Sequence, residues 1–144
     1  MSDKIFIDTN ILVYFYTKTE KAKLNILEKL LSNADLVIST QVLNELSNVL
    51  FKKFNCTTEE ISKLTQEVSC WCSVYTIEIQ TIIHTLSIIN KYKISYFDEL
   101  MITAALESNC KIMYSEDMQH NCLIEKTLHI INPFKVIINK TSDS

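Results

Sequence analysis

Short apolar runs alternate along this chain with longer segments in which apolar residues recur every three or four positions. The short runs predict five buried strands, at residues 4–7, 36–38, 73–77, 111–114 and 129–131. The longer segments have the spacing of amphipathic helices, at residues 20–31, 42–50, 60–68, 79–89 and 97–106. Because the strands alternate with helices, we predict an α/β fold with a parallel sheet of four or five strands and helices on both faces.

Polar residues mark the starts of two predicted helices. Ser39 and Thr40 follow the second strand and can cap the next helix, because a side-chain oxygen accepts from a free amide of the first turn. Thr57 and Glu60 have the spacing of a capping box. The pattern contains no repeat and no linker, so residues 1–139 are interpreted as one domain and residues 140–144 as a disordered tail.

The composition excludes several kinds of site. The 144 residues include no glycine, no arginine and one proline, Pro133. Without glycine the chain cannot form the usual dinucleotide-binding or Walker A phosphate loops. Without arginine it has no bidentate guanidinium clamp, so lysine is left to contact phosphate. The formal net charge of −3 gives no general attraction to nucleic acid.

Cysteine usage and hydropathy indicate the cell compartment. The five cysteines form no paired metal-binding framework and are expected to be reduced thiols. The first residues lack a signal-peptide pattern, and no apolar run approaches the ~20 residues of a membrane helix. We therefore expect a cytoplasmic protein with no membrane segment.

Four acidic residues are predicted to lie at the same edge of the sheet. Asp8 directly follows the first strand and Asp117 follows the fourth, whereas Glu45 and Asp98 belong to the apolar faces of two helices near their starts. Each one alone also fits a structural role. Asp8 could belong to a turn, Asp98 and Asp117 could be first-turn acids of helices, and Glu45 could be a solvated edge residue.

Taken together, these carboxylates predict a metal site. Several like charges on one half-buried edge would repel one another strongly, and a divalent cation relieves that repulsion. Oxygen ligands with few imidazoles suit Mg²⁺ or Mn²⁺, and one or two such ions can activate water for attack on a phosphodiester. We therefore interpret the four acids as candidate metal ligands.

The same residues occur in segments that resemble PIN-domain nucleases, in particular VapC-type toxins. The matching segments are residues 6–10, 39–46, 95–105 and 114–120, and the resemblance spans residues 5–134 in order and spacing. It implies a single PIN-like domain that cleaves RNA with Mg²⁺ or Mn²⁺, with Asp8, Glu45, Asp98 and Asp117 as both catalytic and metal-binding residues. Asn10 and Ser115 match polar positions behind these ligands, and Glu116 matches a possible peripheral ligand.

The resemblance also implies partners. A VapC-type toxin is paired with a small DNA-binding antitoxin protein and is expected to form a homodimer. Candidate surfaces for the antitoxin are the predicted helices at residues 20–31 and 42–54. Lysines such as Lys18, Lys52, Lys53 and Lys91 are candidates for holding the RNA backbone.

Two features of the sequence depart from the family, and two other functions stay open. Asn121 stands where many relatives have glycine, and there is no arginine to contact RNA. The first hypothesis is a ribonuclease toxin, and the alternative is a catalytically silent PIN-fold module that binds RNA or protein. A phosphatase of the haloacid-dehalogenase kind is disfavoured, because it needs a second acid two residues after Asp8, where this chain has Asn10.

Overall fold

The computed structural model describes residues 3–135. The strands are β1 (Lys4–Ile7), β2 (Asp35–Ser39), β3 (Ser73–Tyr75), β4 (Ile112–Tyr114), β5 (Cys122–Ile124) and β6 (Leu128–Ile131). The helices are α1 (Thr9–Thr17), α2 (Lys21–Leu31), α3 (Thr40–Lys53), α4 (Thr58–Trp71), α5 (Ile79–Tyr92) and α6 (Tyr96–Glu107). The predicted tail at 140–144 lies outside the described residues. None of the helices within residues 3–135 combines the length and hydrophobicity needed to cross a bilayer.

The strands form one sheet in the order β3-β2-β1-β4-β6-β5. The pairs from β3 to β6 are parallel, and β5 pairs antiparallel with β6. The α/β prediction is therefore confirmed, and the five predicted strands are all present. The described residues form six strands rather than four or five. The additional strand is β5, a three-residue edge strand whose central Leu123 is 52 % exposed.

The central strand β1 lies in the core, where Phe6 and Ile7 are fully buried. Helix α6 is buried along most of its length, and its Ile102, Ala104 and Ala105 have no exposed surface. Both predicted caps are present. The Ser39 hydroxyl accepts from the amide of Val42 at 3.3 Å, and Thr57 and Glu60 form the capping box. The Ser39 cap fixes the start of α3 at the carboxyl end of β2, and the capping box fixes the start of α4.

Several turns place residues other than glycine in the left-handed region of backbone conformation. They are Lys18, Asn55, Lys93, Asn109, Asn121, Glu125 and Lys126. A residue with a Cβ pays roughly 1–2 kcal/mol in this region, and asparagine tolerates it best. Asn121 adopts φ 67°, and its amide donates to the Ile130 carbonyl at 2.8 Å. An asparagine therefore takes the conformation that glycine would provide at this position.

Candidate active site

Two adjacent parallel strands bring Asp8 and Ser115 together. Ile7 of β1 is in register with Tyr114 of β4, so the residues that follow them, Asp8 and Ser115, lie side by side at the carboxyl ends of the two strands. The amide of Asp8 donates to the Tyr114 carbonyl at 3.2 Å. Asp8 is 4 % exposed and Ser115 is fully buried. The floor of the site is thus fixed by the central strands of the sheet.

Asp8 is also the N-cap of α1, a helix that the sequence pattern did not predict. Its Oδ1 accepts from the amide of Ile11 at 3.1 Å. The pKa of the Asp8 carboxyl is raised to about 6, mainly by burial and to a smaller extent by the charges of Asp117 and Asp98. The hydrogen bonds with Ser115 and the Ile11 amide lower this pKa in part. Ionising Asp8 is therefore less favourable in the folded protein than ionising a solvent-exposed aspartate.

Glu45 reaches the same place from the first turns of α3. It is half-buried, and the Thr9 hydroxyl donates to its Oε2 at 3.5 Å. Burial raises the pKa of Glu45, and the charge of Asp98 adds to this rise. Asp98 comes from the first turn of α6. The charge of Asp98 on one helix therefore acts on the carboxyl group of Glu45 on another.

Asp117 lies in the loop after β4 and is exposed. The side-chain amide of Asn10 donates to its Oδ2, which ties this loop to α1. The backbone amide of Met118 donates to the Ser115 hydroxyl at 3.2 Å, which closes the turn that carries Asp117. Asn10 and Ser115 thus fix the position of Asp117 without being acidic themselves.

All four predicted acids line one cavity of about 180 Å³, which we call the acidic cavity. Asn10 and Ser115 line it as well. The residues that the sequence singled out from four separate segments are therefore brought together. Which of them bind metal or take part in catalysis stays a prediction.

Glu116 follows Ser115 and precedes Asp117 in the chain, but it does not line the acidic cavity. Its Oε1 accepts from the Tyr14 hydroxyl at 2.5 Å, and its Oε2 accepts from the Lys23 ammonium at 2.6 Å. Burial acts to raise the pKa of Glu116, but these hydrogen bonds outweigh it and lower the pKa below its usual value. Both carboxylate oxygens are thus already engaged, and we assign Glu116 to fastening the β4 loop onto α1 and α2.

Glu99 is a buried acid that the sequence analysis did not single out. It follows Asp98 in α6, has no exposed surface, and neither carboxylate oxygen has a hydrogen-bond partner within residues 3–135. Burial raises the pKa of Glu99 to about 7, with contributions from the charges of Glu125 and Asp98. A sequence signal was available, because Glu99 interrupts the apolar run of α6.

The donor set of the acidic cavity fits a hard divalent cation. The donors are carboxylate oxygens, and beyond the effect of burial the charge of Asp98 raises the pKa of both Asp8 and Glu45, a repulsion that a bound cation would relieve. Among residues 3–135, no three acidic, histidine or cysteine side chains already surround a common point at ligand distance. Binding an ion would therefore require the carboxylates to close in from the walls of the cavity.

This combination of a parallel sheet and an acidic cavity at its carboxyl edge defines a class of α/β protein with a candidate metal site. The model of the PIN domain family matches residues 5–121. The chain therefore belongs to the PIN domain family. A search of curated proteins finds no match.

Solved structures with the same fold include toxin–antitoxin proteins. The chain is similar to VapBC2 from Rickettsia felis bound to a promoter DNA fragment, with 20% identity, TM-score 0.64, and coverage of 88% of this chain and 96% of that one. It is also similar to VapBC-1 from nontypeable Haemophilus influenzae, with 19% identity, TM-score 0.65, and coverage of 91% of this chain and 98% of that one. A third similar structure is the sarcin-ricin loop cleaving toxin VapC20 from Mycobacterium tuberculosis, with 15% identity, TM-score 0.63, and coverage of 78% of this chain and 89% of that one. At these identities the likeness shows the fold.

Proposed function

We propose that this chain is a metal-dependent endoribonuclease of the VapC type, the toxin of a toxin–antitoxin pair acting on RNA in the cytoplasm. The observation that carries the proposal is the convergence of Asp8, Glu45, Asp98 and Asp117 on one cavity at the carboxyl edge of the sheet. The similar VapC20 is a sarcin-ricin loop cleaving toxin, which supports the proposal of a nuclease toxin.

The residues of the acidic cavity are assigned separate roles. Asp8 and Asp98 are the principal ligands, and Glu45 and Asp117 complete the site and orient the attacking water. One or two Mg²⁺ or Mn²⁺ ions would supply Lewis-acid activation of that water and offset the charge on the phosphodiester. Asp8 offers its second oxygen, because Oδ1 is engaged by the amide of Ile11. Asn10 holds Asp117 in place.

Purified protein tests this function directly. A mixed RNA pool should be cut in the presence of Mn²⁺ or Mg²⁺, and cleavage should stop when a chelator is added. Binding of RNA without any metal-dependent cleavage would instead favour the silent module on the same fold. Sequencing the cut ends then identifies the RNA that the enzyme prefers.

We also propose a small DNA-binding antitoxin as partner, since two of the similar structures are VapBC proteins. The predicted surface consists of α2 and α3. Phe51 on α3 is 55 % exposed and Phe54, the C-cap residue of α3, is 44 % exposed, which is the kind of apolar surface that an extended or helical arm covers. A basic side chain of such an arm could reach the acidic cavity and replace the charge of the metal.

Co-expression with the neighbouring small reading frame should give a stable complex in which RNA cleavage is suppressed. Phe51→Asp should weaken that complex, whereas the control Gln66→Asp, at an exposed position of α4 outside the predicted surface, should not. Size-exclusion chromatography of the co-expressed proteins measures both. A chain that is active on RNA in vitro and yet harmless when expressed alone would contradict the toxin proposal and leave the nuclease intact.

We further propose that the chain forms a homodimer. Helix α5 presents an apolar stripe to solvent, in which Ile79, Ile82, Ile83 and Leu86 are 74 %, 39 %, 51 % and 57 % exposed. A stripe at helical spacing is self-complementary when two copies meet about a twofold axis. Ile83→Glu should therefore give a monomer in sedimentation velocity, while Gln80→Glu on the same helix leaves the dimer. A monomeric parent protein would contradict this proposal.

A further inference from the structure

A second cavity, of about 300 Å³, opens beside the acidic cavity. The two share Asp98, Asp117 and Met118, so they adjoin each other. We call the second one the side cavity. Its other walls come from the connection between α5 and α6, the loop after β4, and the β5–β6 edge, through Tyr92, Lys93, Ile94, Ser95, Gln119, Cys122 and Ile130.

The walls of the side cavity combine several polar groups with a smaller apolar surface. The partly exposed side chains of Ile94 and Met118 provide the apolar part. The hydroxyl of Ser95 makes no capping hydrogen bond to α6, although Ser95 occupies the N-cap position. Gln119 is exposed at the edge of the cavity, with an amide that can both donate and accept. A group that enters this cavity therefore meets hydrogen-bonding partners as well as apolar surface.

Hydrogen bonds hold these walls in place before any ligand binds. The Tyr92 hydroxyl donates to a carboxylate oxygen of Glu125 at 3.0 Å and accepts from the Glu125 amide at 2.9 Å. The loop that carries Gln119 is fastened where His120 Nδ1 accepts from the amide of Asn132 at 2.9 Å. The side cavity is thus formed by the fold itself, and binding need not order it.

Charge and size limit what can occupy the side cavity. Asp98 and Asp117 form the wall that it shares with the acidic cavity, so a phosphate group placed inside would be repelled. A neutral, flat group with apolar faces and hydrogen-bonding edges meets no such penalty. A volume of about 300 Å³ is at the lower end of ligand cavities, which suits one planar ring system better than a whole nucleotide.

We propose that the side cavity binds one nucleobase of the substrate RNA, next to the phosphodiester that lies at the acidic cavity. This proposal rests on the proposed ribonuclease function and adds to it a determinant of sequence preference. The base stacks against the apolar wall, and Ser95 and Gln119 read its hydrogen-bonding edge. Lys93 is exposed at the rim, where it can meet the phosphate on the outer side of that nucleotide. The substrate is accordingly single-stranded or looped RNA, because a base in a duplex cannot enter.

Binding measured without cleavage tests this assignment. Asp8→Asn protein, whose substitution lies outside the side cavity, is titrated with fluorescent octamers of adenylate, cytidylate and uridylate. We expect one octamer to bind roughly tenfold more tightly than the weakest, and Gln119→Ala or Ser95→Ala in that background to reduce the spread to about threefold or less. Gln66→Ala, an exposed glutamine on α4, is the matched control and should leave the spread unchanged.

The results separate the side cavity from the proposed function. Equal affinities for the three octamers, or a spread that survives both Gln119→Ala and Ser95→Ala, would overturn the nucleobase assignment, whatever the wild-type protein cleaves. In a cleavage assay on a randomised RNA library, Gln119→Ala should also flatten the preference at one position beside the cut. If wild-type protein fails to cleave while the octamer preference depends on Gln119, the nuclease function is wrong and the nucleobase site stands.

Discussion

Asp98→Asn should lower metal-dependent RNA cleavage by about 100-fold or more, because even residues behind the ligands of a metal site typically contribute 10–100-fold. Asparagine keeps the size and the hydrogen-bonding oxygen of the side chain but removes the charge that would hold the cation. The loss should appear in kcat/KM at saturating Mn²⁺, measured on a single labelled RNA.

Asp35→Asn is a suitable control for this experiment. Asp35 begins β2 and therefore lies at the amino end of the strands, away from the acidic cavity. The Asp35→Asn variant should cleave RNA at the wild-type rate, and thermal unfolding should confirm that both variants fold. Full activity of Asp98→Asn would remove Asp98 from the site and leave the assignment of the other three acids to be tested in the same way.

Asp8→Asn should stabilise the metal-free protein at neutral pH by up to about 3 kcal/mol. Burial raises the folded-state pKa of Asp8 from 3.8 to about 6, and each pKa unit corresponds to about 1.4 kcal/mol. Because the folded state holds this proton more tightly than the unfolded state, the contribution of Asp8 to stability falls as pH rises from about 4 to 6 and stays low above that. Asparagine is always neutral and also caps α1, so the variant lacks this dependence.

Chemical denaturation in the presence of a chelator, at pH 4 and pH 7.5, measures the difference. The two proteins should be about equally stable at pH 4 and differ at pH 7.5. Glu99→Gln provides the comparison, because burial also raises the pKa of Glu99, to about 7. Both variants should flatten the pH profile, but added Mn²⁺ should still stabilise Glu99→Gln and stabilise Asp8→Asn much less. Equal stabilisation of both by Mn²⁺ would contradict Asp8 as a ligand.

The sequence predicted the parts of the fold that depend on local patterns. Apolar runs identified the five strands, and hydroxyl caps identified the starts of α3 and α4. Helix α1 was missed, because its residues are almost uniformly apolar and show no helical period. Strand β5 was missed because its three residues are held by pairing with β6, which is a contact that no local pattern encodes.

The candidate site was predictable to the extent that topology places residues. Asp8 and Asp117 follow adjacent strands, and Glu45 and Asp98 begin helices at the same edge, so their convergence follows from the α/β order. The environment of Glu116 was not predictable, since its partners Tyr14 and Lys23 lie about a hundred residues earlier in the chain. The side cavity also escaped the sequence analysis, because no single segment forms it.

The left-handed turns that contain no glycine affect how readily the side cavity can adapt to different bases. Lys93 lines this cavity, Asn121 adjoins its Cys122 wall, and Glu125 anchors the Tyr92 hydroxyl, and all three have positive φ. A residue with a Cβ has fewer alternative conformations than glycine, so a turn made from it has fewer shapes to explore. When a base enters this cavity, the protein loses little backbone entropy. The same stiffness limits how far the cavity can change shape for a different base. Base selectivity is then set by shape as well as by hydrogen bonding, and we expect substitution of Lys93 by glycine to broaden it.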